Sequence, residues 1–297
     1  MMDWEKLRVF HAVAEAGSFT RAGDELGLSQ SAVSRKISAL EDTAAAPLFH
    51  RHARGLILTE QGELLYRTVR EVFAKLAMVE GQLAENKDHP KGQLKVTATV
   101  GLGSFWLAPR IGEFIDLYPD VSVDLVLDDK ELDLSMREAD VAIRLIPPRQ
   151  AELVQRHLMT IRNFIYASPA YVERYGMPKS IADLDNHKIV VYGDETRPPV
   201  PELNWLLTIG APEDQPRRPV LTVNNVYSIL RAVQSGLGIA QFAKFMGEEQ
   251  HGLVQVLPEV EGPRMEAYFV YPEELRNSKR IQVFRDFLLR KVAEADL

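Results

Sequence analysis

The chain of 297 residues contains no cysteine, and this absence sets the firmest limit on its chemistry. Without a thiol there is no disulfide, no thiolate zinc site, no iron–sulfur cluster and no cysteine nucleophile. No apolar run approaches the roughly 18 residues of a membrane span, and the first residues lack the basic and then apolar order of a secretory signal. We therefore expect a soluble cytoplasmic protein that does no thiol chemistry.

Motifs for catalysis are also missing. The sequence contains no Gly-x-Ser-x-Gly, no Gly-x-x-x-x-Gly-Lys-Ser/Thr and no His-Glu-x-x-His. Gly101 and Gly103 follow a predicted strand, but Trp106 stands at the third glycine position of the dinucleotide-binding motif and would prevent close packing on a pyrophosphate. His50 and His52 have no carboxylate or thiol nearby, which favours a plain basic turn over a metal site. We expect no enzyme, no cofactor and no metal.

The overall charge gives no signal for the binding of nucleic acid. The chain has 35 basic and 42 acidic side chains and a formal net charge of −7, so any DNA site must be local. The acidic excess lies mostly in residues 92–297, with 23 basic and 29 acidic side chains, whereas residues 1–60 carry 7 and 8. The length fits two domains of roughly 150 residues, and the 46% hydrophobic content is typical of packed cores.

The first 60 residues have the spacing and end signals of three helices. Apolar residues recur every three or four positions up to Gly17, which ends the first helix. Ser18 and Ser29 are predicted to cap two further helices over 19–26 and 30–40, and together these have the form of a helix-turn-helix. Their shared core is expected to contain Ala22, Leu26, Val33, Ile37 and Leu40.

The last of these helices is predicted to leave a polar face towards solvent. The face consists of Gln30, Ser31, Ser34, Arg35 and Ser38. In the major groove, Arg pairs with guanine and Gln with adenine, so a face of this composition suits the reading of bases. The alternative is an ordinary solvated helix face. A basic run, His50-Arg51-His52-Ala53-Arg54-Gly55, then precedes a strand-like segment and suggests a wing that contacts phosphates or the minor groove.

A long helix is predicted after Thr59, its N-cap. Apolar residues recur along it at spacings of 4, 3, 4, 3 and 4, at Leu65, Val69, Val72, Leu76, Val79 and Leu83. This seam is typical of a helix that pairs with a like helix, and the alternative is packing against its own domain. Residues 86–92 are polar, contain Pro and Gly, and are predicted to form a hinge.

From residue 93 the pattern changes to strands that alternate with helices, which favours an α/β domain with mainly parallel strands. Strands are predicted at 94–100, 121–127, 140–144, 163–167, 188–192, 220–223 and 265–271. Helices are predicted at 105–118, 169–175, 226–235 and 278–293. This length holds two small lobes, and a cleft between lobes is a usual place for a small ligand.

The sequence resembles the LysR-type transcriptional regulators. The N-terminal motifs that carry the resemblance are Leu7-Arg-Val-Phe10, Gly17-Ser-Phe-Thr20-Arg-Ala22, Leu28-Ser-Gln-Ser-Ala-Val-Ser-Arg35, Leu40-Glu41, Pro47-Leu-Phe49 and Arg54-Gly-x-x-Leu58-Thr59-x-x-Gly62. Asp140-Val-Ala-Ile-Arg144, Ala167-Ser-Pro-Ala-Tyr171, Gly176-x-Pro178, Asp183-Leu184 and His187 are similar to the glycine-cleavage-activator subgroup. Gly101-Leu-Gly103 and residues 131–138 resemble the alphaproteobacterial LsrB and VtlR regulators, although redox sensing associated with the LsrB kind cannot apply without cysteine.

The resemblance implies a winged helix-turn-helix at 1–60, a dimerising linker helix and hinge at 61–91, and an α/β effector domain like periplasmic binding proteins at 92–297. Lobe I would comprise 92–164 and 268–297, and lobe II 165–267. Implied partners are promoter DNA, a small-molecule effector, further copies of the chain in a dimer of dimers, and RNA polymerase, with no membrane. The implied DNA contacts are Thr20, Gln30, Ser31, Ser34, Arg35, Lys36, Arg51 and Arg54. A solute-binding-like protein without specific DNA binding is the alternative, and the N-terminal segment opposes it.

The implied effector pocket contains Thr99, Gly101, Leu102, Ser104, Asp128, Arg144, Asn224 and Asn225. Backbone N–H groups at a helix start near Ser104 would bind a carboxylate. Such a site predicts that the effector is an acidic metabolite. Asp128 and Asp129 in the same cleft would instead favour an amine, or would cap the next helix. Arg144 is expected either to bind ligand or to form a structural ion pair.

Overall fold

A computed structural model describes residues 3–52, 55–84, 89–147, 150, 152–193, 198–212, 215–247 and 252–295. The chain divides into two compact units, Met1–Ala84 (unit 1) and Glu85–Leu297 (unit 2). Among the described residues, no helix has the length and apolar character needed to cross a membrane.

Unit 1 contains four helices and one hairpin in its described part. The elements are α1 (Trp4–Ala16), α2 (Phe19–Leu26), α3 (Gln30–Ala44), β1 (Phe49–His52), β2 (Gly55–Leu58) and α4 (Glu60–Ala84). The predicted N-caps are confirmed, because Ser18 Oγ accepts from Arg21 N at 3.5 Å and Ser29 Oγ from Ala32 N at 3.2 Å. Gly17 ends α1 in the left-handed conformation, at φ 61°. The helix predicted over 30–40 continues further, to Ala44.

The core of unit 1 is built from the inward sides of α1 to α4 and from β1. Its buried members are Val9, Phe10, Val13, Ala16, Ala22, Val33, Ile37, Leu40, Leu48, Phe49 and Val69. Four of the five predicted core residues are among them, and Leu26 packs against the cluster while partly exposed. Glu41 at the end of α3 accepts from Leu48 N at 2.8 Å, which fixes the start of the hairpin against the helices.

Unit 2 contains strands and helices in near alternation. The strands are β3 (Gly92–Ala98), β4 (Val121–Leu127), β5 (Val141–Arg144), β6 (Leu153–Ile161), β7 (Asn163–Ala167), β8 (Val190–Tyr192), β9 (Leu221–Val223), β10 (Ala240–Ala243), β11 (Val254–Val256) and β12 (Met265–Pro272). The α-helices are α5 (Val100–Leu102), α6 (Ala108–Leu117), α7 (Pro169–Tyr175), α8 (Val226–Gln234), α9 (Lys244–Gly247) and α10 (Lys279–Ala293). A π-helical turn, Gly103–Leu107, joins α5 to α6, and 3₁₀ turns occupy Ile181–Asn186, Pro201–Leu207 and Glu273–Leu275.

The strands of unit 2 form a five-stranded sheet in the order β4-β3-β5-β12-β6, a three-stranded sheet β10-β7-β11 and a parallel pair β8-β9. The prediction of mainly parallel strands is wrong. Strand β12 runs antiparallel to both its neighbours, and the three-stranded sheet is antiparallel throughout. Three strands were not predicted: β6 has consecutive exposed polar residues at its centre, and β10 and β11 are short.

The start of the helical segment after β3 differs from the prediction. Strand β3 ends at Ala98, and the helix begins at Val100 rather than at Phe105. Asp129 Oδ1 accepts a hydrogen bond from Val100 N at 3.0 Å and so supplies the cap for the first turn. Gly103 lies so close to the sheet that a Cβ there would be 2.1 Å from Leu127 Cδ2. Gly103 therefore serves close helix–sheet packing, whereas a Cβ at Gly101 would lie 3.1 Å from Val226 Cγ1 on α8.

Candidate functional site

The first half of α3 presents a polar face to solvent. The exposed or half-buried side chains on it are Gln30, Ser31, Ser34, Arg35 and Ser38. This orientation follows from the opposite side of the helix, where Val33 and Ile37 are fully buried. The Arg35 guanidinium makes no ion pair or hydrogen bond with any residue that the structure describes. Its five donors are therefore available to an external partner.

The two predicted phosphate contacts differ in their surroundings. Thr20 on α2 is exposed. Lys36 Nζ lies 3.5 Å from Glu5 Oε1, and Arg8 binds the same carboxylate at 3.0 Å. The hydrogen bond from Arg8, with the charges of both cations, holds the pKa of Glu5 below its usual range. Lys36 reaches a phosphate only by leaving this exposed ion pair, which costs little free energy.

A two-stranded hairpin stands where the wing was predicted. Strands β1 and β2 pair antiparallel, with Phe49 opposite Leu58 and His50 opposite Ile57. Arg54 and the side chains of Arg51 and His52 lie outside the described residues. Within the part of the chain that is described, no group of three or more His, Asp or Glu side chains could hold a metal ion.

The predicted seam on α4 divides into two parts. Thr59 begins the helix, since its Oγ1 accepts from Gly62 N at 2.9 Å. Val69 is buried in the core of unit 1 and Leu65 packs against it, so own-domain packing, the alternative considered for this helix, holds at these two positions. Val72 and Leu76 are 41% and 43% exposed and continue the same stripe. The side chains of Val79 and Leu83 lie outside the described residues.

Unit 2 contains a mainly apolar pocket of about 580 Å³, including its open mouth, within the usual range for small-molecule sites. Its walls come from the ends of β3 and β6, from β8 and β10, and from α8 and α9. The apolar lining residues are Leu102, Leu145, Ile161, Val190, Val191, Pro199, Leu203, Val226, Ile229, Phe242, Ala243, Phe245, Met246 and Met265, together with Gly101.

Of the described residues, five polar ones also line this pocket, namely Thr99, Asp129, Asn163, Tyr192 and Gln241. Asn163 Nδ2 donates to Pro263 O at 2.9 Å, and Gln241 Oε1 accepts from Trp205 Nε1 at 2.5 Å. Burial raises the pKa of Asp129, against the hydrogen bond from Val100. Burial also raises the pKa of the Tyr192 hydroxyl, and the charge of Asp129 adds to that rise.

The structure brings together only part of the predicted effector site. Thr99, Gly101 and Leu102 line the pocket, whereas Asp128 and Arg144 line a smaller neighbouring pocket. The two pockets share Thr99, Asp129, Leu145 and Pro199. The Arg144 guanidinium is 9% exposed and donates to Leu132 O, with Glu131 Oε2 at 3.8 Å. It therefore forms the structural ion pair that was one of its two expected roles.

Three predicted effector residues line neither of these two pockets. Ser104 lies inside the π-helical turn, because the helix begins four residues earlier. Asn225 caps α8 by accepting from Ser228 N at 2.9 Å, and Asn224 Oδ1 accepts from Asn225 Nδ2 at 3.2 Å. The prediction of a helix start near Ser104 is wrong, because the helix begins at Val100 and the N–H of that residue is bound by Asp129.

Sequence reasoning missed Asn163, Tyr192 and Gln241 as pocket residues. One signal was present for Asn163, because it is the polar residue at the start of a strand whose five residues are all buried. Gln241 lies on β10, which was not predicted at all.

Comparisons with known proteins agree along nearly the whole chain. Residues 4–63 match the family model described as bacterial regulatory helix-turn-helix protein, lysR family, and residues 87–293 match the LysR substrate binding domain. An HTH-type transcriptional regulator from Xanthomonas campestris pv. campestris is 32% identical over 288 residues, which are 96% of this chain and 84% of that protein. The regulator CrgA from Neisseria meningitidis serogroup C is 28% identical over 292 residues, which cover 97% and 96%.

Solved structures of full-length regulators have the same fold. AphB from Vibrio cholerae, a virulence activator, superposes with a TM-score of 0.62 at 26% identity, covering 97% of this chain and 99% of its own. CrgA from Neisseria meningitidis gives 0.60 at 27% identity, covering 98% and 99%. CbnR in complex with its target DNA gives 0.67 at 17% identity, covering 99% of both chains. The chain belongs to the LysR family of DNA-binding transcriptional regulators, with an N-terminal helix-turn-helix and a C-terminal effector-binding domain.

Proposed function

We propose that the polar face of α3 reads the bases of promoter DNA and that pocket occupancy in unit 2 modulates this binding. The observation that carries the proposal is the free, exposed guanidinium of Arg35 beside Gln30 on the first turns of α3. Arg35 and Gln30 would pair with base edges, and Ser31 and Ser34 would add hydrogen bonds. Thr20, Lys36, Arg51 and Arg54 would hold phosphates and position the helix.

The pairing of two α4 helices would place two such units on one DNA site. Val72 and Leu76 support this role, because both are large apolar residues left exposed on one stripe. A two-fold protein reads two-fold DNA, so we expect half-sites of an imperfect palindrome. We assign residues 1–60 to DNA binding, 61–91 to the linker and 92–297 to the effector domain, with lobe I at 92–164 and 268–297 and lobe II at 165–267. A regulator that acts on promoters works in the cytoplasm.

Ligand entry would act by changing the geometry of the lobes. In a dimer of dimers this alters the spacing of the DNA-binding units, the bend of the DNA and the recruitment of RNA polymerase. The mechanism requires that the ligand bind one arrangement more tightly than the other. The motifs at 140–144, 167–171 and 176–187 support a place in the glycine-cleavage-activator-like subgroup, and those at 101–103 and 131–138 support a place near LsrB and VtlR.

The test is selection of bound duplexes from a random DNA pool by the purified full-length protein at one fixed salt concentration, because DNA affinity depends steeply on salt. The proposal predicts enrichment of a two-fold motif with spaced half-sites. Weak, salt-sensitive binding without any enriched sequence would contradict it.

A further inference from the structure

Among the residues that the structure describes, none that lines the pocket of unit 2 is Lys, Arg or His. The described lining therefore offers no cation that would neutralise an anion. At the helix start beside Thr99, the N–H of Val100 already donates to Asp129 Oδ1 at 3.0 Å. A bound carboxylate or phosphate would therefore bury its charge beside another negative charge without compensation.

Asp129 presents an open acceptor instead. Its Oδ1 is used by Val100, while its Oδ2 is buried and has no hydrogen-bond partner among the described residues. Burial raises the pKa of this carboxyl, and the neighbouring charge of Asp128 raises it further. A cation at Oδ2 would relieve both effects.

Asn163, which lines the same pocket, presents a second open acceptor. The residue is 1% exposed, and its Nδ2 donates to Pro263 O at 2.9 Å, which fixes the orientation of the amide. Its Oδ1 is buried without a partner in the part of the chain that the structure describes. Buried polar atoms are almost always hydrogen-bonded. A ligand that fits two open acceptors in one pocket must therefore supply hydrogen-bond donors.

We propose that the effector is a small molecule with an apolar body and a primary ammonium group, and that Asp129 and Asn163 bind this group. An ammonium offers three donors and no acceptor, as Lys does. A carboxylate offers none, and a neutral alcohol offers a single donor, which leaves one acceptor open. The apolar body would pack against residues such as Leu203, Phe242 and Met246. This inference rests on the proposed role of the pocket as the effector site.

Isothermal titration of the full-length protein tests the proposal with matched probes. The probes are 2-phenylethylamine, 2-phenylethanol and phenylacetate, with hexylamine, hexanol and hexanoate as a second skeleton. We expect at least one amine to bind at least about tenfold more tightly than the acid and the alcohol of its skeleton. Binding of neither amine, or equal or tighter binding of an acid, overturns the proposal.

The variant Asp129→Asn keeps an oxygen for the N–H of Val100 and removes the charge. It is expected to weaken amine binding at least about tenfold. Asp116→Asn removes a charge from the exposed side of α6 and is expected to leave amine affinity unchanged. Equal affinity in the wild type and Asp129→Asn overturns the assignment of Asp129, and unfolding curves of both variants establish that they fold.

The outcome is separable from that of the proposed function. Enrichment of one DNA motif without amine binding overturns only the ligand chemistry. Amine binding by a protein that enriches no DNA motif overturns only the proposed function.

Discussion

Units 1 and 2 place their functional polar groups in opposite environments. In unit 1 the side chains of Gln30 and Arg35 are exposed on a helix whose other side forms the core. In unit 2 the acceptors of Asp129 and Asn163 are buried in an apolar pocket. An exposed cationic face suits a large hydrated polyanion, for which surface charge supplies much of the affinity. Buried acceptors suit a small ligand, because an unpaired buried group penalises every ligand that lacks the matching donor.

The largest effect is expected from a variant that destabilises the fold of unit 1 and leaves unit 2 intact. A Cβ on Gly62 would stand 2.1 Å from the carbonyl oxygen of Leu48, which is backbone and cannot move away cheaply. Gly62→Ala is therefore expected to lower the free energy of unfolding of unit 1 by about 3 kcal/mol or more. DNA binding should fall with it, while ligand binding by unit 2 persists.

Gly112→Ala is the matched control, because nothing lies within 4 Å of a Cβ at that position in α6. It is expected to stabilise the helix by about 0.5–1 kcal/mol. Chemical unfolding followed by circular dichroism measures both variants. Equal stability of the two variants would contradict the close contact of Gly62 in α4 with Leu48.

The next effect concerns association through α4. Leu76→Glu would place two carboxylates in a paired apolar stripe and is expected to weaken the dimer by about 2 kcal/mol, which is roughly thirtyfold in Kd. Arg67→Glu places a carboxylate on the opposite side of the same helix and should leave the dimer intact. Sedimentation velocity across a concentration series separates the two, and an unchanged mass for Leu76→Glu would remove the stripe from the interface.

A smaller effect is expected in the response of unit 1 to acid. Burial against Tyr66 and Phe73 lowers the pKa of His11, so the folded state holds the neutral ring while the unfolded chain protonates near its ordinary value of about 6.5. The stability from His11 is complete above that value and is lost as pH falls through the lowered folded pKa. His11→Phe should reduce the acid-induced fall in the melting temperature of unit 1.

Unit 2 provides an internal reference for this measurement. Burial also lowers the pKa of His187, with Asp183 opposing it, so unit 2 loses stability with acid in the same direction. His11→Phe leaves that dependence in place. The melting temperature of unit 1 is measured between pH 5 and 8 in the wild type and in His11→Phe. The same dependence on pH in both proteins would contradict the assignment to His11.

Much of unit 1 could be predicted from sequence because its signals are local. Ser18 and Ser29 cap helices through backbone groups three residues away, and Gly17 ends a helix by its own conformation. The continuation of α3 beyond Leu40 could not be predicted in this way. The helix ends at Ala44, where Ala45 takes the left-handed conformation without being glycine, and Glu41 in the added turn accepts from Leu48 N.

The pocket of unit 2 could not be predicted in the same detail, because distant segments build it. The cap on Val100 comes from Asp129, 29 residues later, and it moved the helix start away from the predicted position. The amide of Asn163 is oriented by Pro263, 100 residues later. Thr99 and Leu102 were predicted from the resemblance to the family, and both line the pocket where β3 is followed by α5.

The role proposed for Arg35 on α3 is to read a base rather than to hold a phosphate. The most direct measurement is the affinity of the wild type and Arg35→Ala for every single-base variant of the selected half-site, at one salt concentration. If Arg35 reads a base, Arg35→Ala loses about 1–3 kcal/mol of preference at one base position and keeps its preference at the others. An equal loss on all sequences, or no loss at all, would contradict it.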